Sequence, residues 1–359
     1  MIEQVAAAFE RQDYRTAAEL LKQLVKESPN NPWVQLYVGR MHEVSGKREK
    51  AEKVYRQLLK VTTNTKIMTQ ARQGIARLEA LAETERKEAL ASATADPSSI
   101  EQGVLVLEPI ESEDKTSAAQ KFAKIMQIDA YTARLTIPSR GWRVYRSSAI
   151  GELKFYGQQL REAGIPCFWA KLSDIQTINV FQVLYFQKST PQPIVVCRND
   201  ANQSGSLSFD WSEVKGRVIG NLPIFEEVVD LDIRRNLQRK TQTQDYFHFC
   251  DLHLPSRRSI LRIYDNGYQF HEGVEIIPLA HQNTVRINWN SLQNFLKEKL
   301  PDVPVWSDFS HFGETVLDNT DILNHIQPHI SIVRQEPTNW DAAFHLYSGL
   351  VFVREEMNN

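Results

Sequence analysis

Nine histidines and three cysteines are the residues with the widest chemical range in this 359-residue chain, so their spacing is read first. His248 and His253 stand five apart around Cys250 and Asp251. That spacing suits neither a helical i,i+4 metal site nor alternate positions of one strand. Asp321, His325 and His329 would share a helix face, but Pro328 interrupts the helix and no HExxH glutamate is present. No metal centre is expected. Cys167, Cys197 and Cys250 match no CxxC or metal-knuckle pattern, and an odd count cannot make a complete disulfide framework. They read as core residues of a protein from a reducing, cytoplasmic compartment.

Nucleophile and phosphate motifs are missing too. There is no GxGxxG, no GxxxxGK[ST] and no GxSxG; Gly205-Ser206 lacks the rest of that elbow. A non-enzyme without cofactors is therefore expected. Arginines offer a different chemistry. Arg140, Arg143 and Arg146 are spaced by three with Trp142 and Tyr145 among them, and Arg257 and Arg258 stand near Arg262. Basic residues beside aromatics can take nucleic acid or acidic peptides. In a strand Arg143 would face away from Arg140 and Arg146, so a solvated surface is the simpler reading. The formal net charge of -2 adds no global pull toward nucleic acid.

The elements that would position such residues begin with a repeat. At a period of 34, Ala17 aligns with Ala51, Leu21 with Tyr55 and Leu24 with Leu58. Each small residue is followed by large apolar ones four and seven positions on, which places the three on one helical face. Pro29-Asn30-Asn31-Pro32 separates the copies and Ser45-Gly46 marks a turn within the second. Asp13-Tyr14, Ala17, Leu21, Leu24 and Pro29-Asn30-Asn31 in one copy resemble the tetratricopeptide repeat family. So do Trp33, Leu36, Gly39, Gly46, Ala51, Tyr55 and Leu58 in the other. Val5 and Thr63 depart from the family pattern. A further helix over about 66–81, with Ile67, Ala71, Gly74, Ile75 and Leu78, would cap the stack. The resemblance implies two hairpins and a cap over residues 1–82, gripping a protein partner in a groove. On the family pattern that groove is lined by Gln4, Ala8, Gln35, Arg40 and His42. The alternative is that these helices only dock on the rest of the chain.

Beyond the repeat the expected fold class is α+β, an all-α helical array followed by an α+β region of two subdomains. Residues 91–114 contain no lysine or arginine but six acids, so 83–130 reads as a self-repelling tether. The run Val104–Leu107 inside it could add a strand to a sheet edge, and the acids could fold back on the arginines. Subdomains are expected over 131–245 and 246–359. Strands are predicted at Leu135–Ile137, Trp142–Tyr145, Cys167–Leu172, Val180–Gln187, Ile194–Arg198, Ser206–Trp211, Ser259–Tyr264, Thr284–Trp289 and Leu350–Arg354. Helices are predicted at Ala149–Ala163, Ile224–Arg239 and Ser291–Leu300. The helix at 224–239 rests on acids first and bases last, with an Asp230–Arg234 pair.

The echo of Phe209–Val214 in Ile287–Leu292 suggests two related subdomains. The stretch from Arg143-Val144-Tyr145 through Leu160–Gly164 to Cys167-Phe168 resembles half of a sporulation-related cell-wall-binding repeat. Trp211-Ser212-Glu213-Val214 after a strand is similar to pleckstrin-homology-like modules. No run of 18 uncharged apolar residues spans a membrane, and no signal pattern opens the chain. The expectation is a cytoplasmic adaptor or assembly factor that binds a client protein. The alternative is a regulatory ligand-, lipid- or cell-wall-binding module in the C-terminal region, which leaves peripheral membrane association open.

Overall fold

The computed structural model describes residues 1–231, 237–276, 284–332 and 338–358, with side chains throughout except at 226–231, 237–241 and 356–358. The chain divides into two compact units, Met1–Ser92 and Ala93–Asn359.

The first unit is all helix: α1 (Ile2–Glu10), α2 (Tyr14–Glu27), α3 (Pro32–Val44), α4 (Arg48–Val61) and α5 (Thr65–Ala93). Its breaks follow local chemistry. Asp13 caps α2 by accepting from the Thr16 amide at 3.1 Å. Asn31 caps α3 through the Trp33 amide at 3.0 Å, and Pro32 takes the first helical position, where its missing N–H is not needed. Gly46 ends the second hairpin's first helix with φ +72°. Two apolar seams hold the stack, one around Val5, Phe9, Ala17, Leu21, Val34 and Tyr37, the other around Leu36, Ala51, Tyr55, Leu58, Ile67 and Ala71. Ala17 and Ala51, the small residues of the 34-residue period, are wholly buried.

The second unit opens with a 3-10 turn at Pro97–Ser99. Then come β1 (Gln102–Leu107), α6 (Lys115–Met126), α7 (Ala130–Thr136), β2 (Arg143–Ala149), α8 (Ile150–Glu162), β3 (Cys167–Lys171) and α9 (Leu172–Gln176). It continues through β4 (Asn179–Lys188), β5 (Ile194–Arg198), β6 (Ser204–Ser208), β7 (Gly216–Leu231), β8 (Leu237–Leu254) and β9 (Ser259–Tyr264). It ends with α10 (Val285–Lys299), β10 (Val305–Trp306), α11 (Phe309–Val316), α12 (Thr320–Leu323) and α13 (Asn339–Asn358). A three-stranded sheet has the order β2-β1-β3, and a seven-stranded sheet the order β10-β7-β8-β9-β4-β5-β6. β1 runs antiparallel to both neighbours, so β2, α8 and β3 form a crossover that skips over it. The largest core joins both sheets to α11, α12 and α13 through Val104, Trp142, Phe168, Val218, Phe249, Phe309, Phe344 and Tyr347.

Several expectations are corrected. The tether expected over 83–130 is occupied by the end of α5, by β1 and by α6; Val104, Leu105 and Val106 are completely buried in the middle of a sheet. Acidic flanks tell how the ends of that run are solvated, while the run itself has apolar surface to bury on both faces. Residues 93–359 form one unit rather than two subdomains, because β4 pairs with β9 in parallel across the expected boundary and α13 packs back on both sheets. The internal echo does not survive either: Trp211 opens a 3-10 turn and Trp289 lies inside α10.

The helix expected at 224–239 is a long hairpin instead, its strands paired from Gly216↔His253 to Leu231↔Leu237. Cross-strand pairing is non-local, and it overrides a charge order that reads as a helix dipole. Asp232, Arg234 and Arg235 lie outside the described residues. Thr284–Trp289 belongs to α10 apart from its cap Thr284, because Trp289, Leu292 and Leu296 share the buried face of one helix. Leu350–Arg354 lies within α13, where Leu350, Val351, Phe352 and Val353 are all buried. A short run buried all round carries no period, so strand and core helix look alike in it. Leu135 and Thr136 close α7, which Asp129 caps through the Thr132 amide at 2.9 Å.

Candidate functional site

Two places concentrate polar side chains with specific geometry: one wall of the helical unit and the interior of the second unit. In the helical unit the centre is Tyr55 of α4. A Cβ built on Gly39 of α3 would lie 2.5 Å from one edge of its ring, and one built on Gly74 of α5 would lie 2.5 Å from the other. The two glycines therefore exist to admit the ring between three helices. Its hydroxyl donates to Glu43 Oε2 at 2.7 Å, and Arg77 of α5 closes on the same carboxylate through Nε at 2.7 Å and Nη2 at 2.9 Å. Burial works to raise the Glu43 pKa, but the hydrogen bonds from Arg77 and Tyr55 and the Arg77 charge outweigh it and hold the carboxyl below its ordinary value. Arg48 and Glu85 tie α4 to α5 a little farther along.

The five residues expected to line a groove are not alike. Ala8 is a packing residue, buried in the first apolar seam, and drops out of the candidate face. A short side chain at helical spacing is indistinguishable in sequence from an exposed one. Gln35 is bonded to the Pro29 carbonyl, holding the loop before α3. Gln4 is exposed on α1. Arg40 lies 5.1 Å over the Phe9 ring, which leaves its guanidinium half-exposed. His42 is also half-exposed; partial burial, then Lys47 and Lys50, lower its pKa, so it is neutral near pH 7. Val44 and Leu81 are the large apolar side chains left exposed at the ends of α3 and along α5, 46% each.

The arginines considered as a possible basic patch each have a partner within the second unit. Arg143 donates to the Leu135 carbonyl at 2.8 Å, Arg146 pairs with Glu152 at 2.9 Å, and Arg140 approaches Asp308 at 3.8 Å. Arg257 clasps Glu213 at 2.6 and 2.7 Å, and Arg258 donates to Thr177 and the Asp174 carbonyl.

The interior of the second unit holds a polar chain that spacing did not reveal. Arg262 of β9, 1% exposed, donates to Asp251 of β8 through Nε at 2.9 Å and Nη2 at 2.7 Å. It also donates to the Pro328 carbonyl at 2.7 Å. Ser348 of α13 donates to the same aspartate at 2.6 Å. His253 Nε2 stands 3.0 Å from the Ser348 oxygen, and its Nδ1 3.4 Å from Glu355. Serine, histidine and glutamate in this order resemble a nucleophile and its base, but the proton count runs the other way. Ser348 has one proton and gives it to Asp251, so His253 must donate to the serine oxygen rather than receive from it. His253 and Ser348 are both completely buried. The arrangement ties β8, β9 and α13 together. In the sequence, Asp251 and His253 only alternate with Cys250, Leu252 and Leu254 at the end of β8.

His345 lies beside it, its ring 4.7 Å from that of His329, which bonds Asp200 at 2.7 Å. Burial first, then the charges of Arg262, His329 and His253, keep His345 neutral, with its pKa well below the ordinary 6.5. Among the described residues no group of three histidine, cysteine or acidic side chains is placed to hold a metal ion. His248 is committed to Asp265 at 2.8 Å. All three cysteines are buried thiols, and burial pushes Cys167 up to about 11, which makes it a poor thiolate. Among the described residues no helix is long and apolar enough to cross a membrane.

Comparison with known proteins agrees with the helical unit. Residues 8–70 match the tetratricopeptide repeat family model, covering α2 to α4 and the adjoining ends of α1 and α5. No curated protein and no solved structure matches the chain.

Proposed function

We propose that this protein is a non-enzymatic adaptor whose tetratricopeptide unit holds a client protein while the second unit serves another role. A stacked helical array buries its seams and leaves whole helix faces in solvent, which is how such repeats present a surface to an extended partner. The observation that carries the reading is the Glu43–Arg77–Tyr55 clasp. It locks α3, the helix that carries Arg40 and Val44, to α4 and α5. A rigid helix face of this kind binds without paying to order itself. The reading as a non-enzyme draws support from Ser348, which is buried and already donates its proton to Asp251.

The test is affinity capture with the full chain and with Arg40→Glu and Val44→Asp variants, checked for unchanged helicity. Capture of a protein that both variants lose, with a directly measured affinity reduced at least tenfold for the purified pair, supports the assignment. A partner set identical across wild type and variants overturns it.

A further inference from the structure

The second unit carries a cleft of about 470 Å³ that the polar network does not use. Its walls are one face of α8 (Ile150, Lys154, Phe155, Gln158), Trp169 and Lys171 of β3, and the 3-10 turn with Ser98 and Ser99. The spacing of four from Ile150 to Lys154 to Gln158 puts these three in line along α8, and Trp169 and Lys171, two apart, share one face of an edge strand. Both charged residues of the lining are lysines, and no acid lines it. Lys171 bonds Glu101 at 3.0 Å, while Lys154 has no ion pair or hydrogen bond among the described residues. The apolar part is a real platform. Trp169 is fixed by Gly157, whose added Cβ would lie 2.3 Å from the indole, and by Arg161, 4.5 Å over the ring. Close packing therefore holds the indole still while Phe155 and Ile150 flank it.

From this we infer a binding site for a small organic phosphate that carries a flat ring, of mononucleotide size. Lys154 supplies the unpaired cation, Ser99 and Gln158 supply hydrogen bonds while Ser98 is held by Asp96, and Trp169 with Phe155 takes the ring. The volume falls within the range of about 300–1,000 Å³ usual for small-molecule clefts. A phosphate suits an ammonium on a flexible stem, which acts as a point charge and needs no forked geometry. This assignment is independent of the adaptor reading, since it concerns a different unit.

The experiment is isothermal titration of the full chain with four ribonucleoside monophosphates, inorganic phosphate and adenosine. Saturable binding of at least one nucleotide is expected, with phosphate alone weaker and adenosine weakest, and the affinity falling as salt rises. Lys154→Glu should weaken the nucleotide at least tenfold, and Gln158→Glu, one turn along, should weaken it as well. Both positions are exposed, so neither variant threatens the fold, which circular dichroism checks. The proposal is overturned if no nucleotide saturates the protein at millimolar concentration. It is equally overturned if Lys154→Glu leaves the affinity unchanged, or if adenosine binds as well as its phosphate.

Discussion

The phenol of Tyr55 and the carboxylate of Glu43 meet at 2.7 Å in the middle of the helical unit, and the helix-spacing residues around them exist to allow it. Tyr55 is fully buried, and both neighbouring helices present a glycine to its ring. The close approach of three helices and the hydrogen bond are one feature.

Gly39→Ala tests that relationship. Alanine gains helix propensity by up to about 1 kcal/mol over glycine, but its methyl would overlap a ring that cannot move, at a cost of about 1–3 kcal/mol. A lowered melting temperature of the helical unit is expected. In a Tyr55→Leu background the same substitution should become neutral or stabilising, and equal effects in both backgrounds would refute the clash.

Removing only the hydroxyl, by Tyr55→Phe, keeps the ring and leaves Glu43 with Arg77. The expected cost is about 0.5–1.5 kcal/mol, the net worth of one hydrogen bond, against about 3–5 kcal/mol for Tyr55→Ala. Denaturant midpoints at constant slope separate the two.

Glu43 makes the helical unit sensitive to acid. Its folded pKa is depressed below the ordinary 4.5, so its contribution is fully present above that value and is lost as pH falls through the folded pKa. Glu43→Gln should destabilise the unit at neutral pH and flatten its stability profile below about pH 4.5. A parallel profile would show that the carboxylate contributes nothing through its charge.

His345 makes the second unit sensitive to acid as well, at a higher pH. Its folded pKa lies well below 6.5, so the unfolded chain takes up the proton first and stability declines as pH drops below that value. The groups that face it are Arg262, His329 and His253. His345→Phe keeps a ring in the site, and it removes an Nε2 that has no partner among the described residues. It should be tolerated at pH 8 and should lessen the loss between pH 6.5 and 5, read by urea titration.

Asp251→Ala would strand Arg262, at 1% exposure, without its counter-charge, for which about 3–5 kcal/mol is the usual penalty. Ser348→Ala removes one donor from a carboxylate that keeps both arginine bonds and takes from the buried His253 its acceptor, and should cost about 1–3 kcal/mol. Thermal unfolding that ranks the serine variant below the aspartate variant would contradict the network as described.

Much of the helical unit was legible in order of residues alone. The 34-residue period, the break at Pro29-Asn30-Asn31-Pro32, Gly46 as a turn and the alanines at Ala17 and Ala51 are local features, and each predicts something within one or two turns of itself. The β2-α8-β3 crossover and the strands at Ile194–Arg198 and Ser259–Tyr264 were legible for the same reason: strong alternation, a helix face and Gly164-Ile165-Pro166 as a stop.

Tertiary structure decided the rest. That Val104–Leu107 sits between two strands, that residues 224–239 pair as a hairpin and that Leu350–Arg354 is core helix all depend on which distant segment covers an apolar surface. So does the fate of the arginines, since a cation is a surface patch or a structural clasp according to whether a carboxylate folds up beside it, as Glu213 does for Arg257. Periodicity fixes what a residue does with its own helix or strand. Charge pairing and burial are settled between segments far apart in the chain, where Asp251 finds Arg262 and Ser348 only after β8, β9 and α13 have packed.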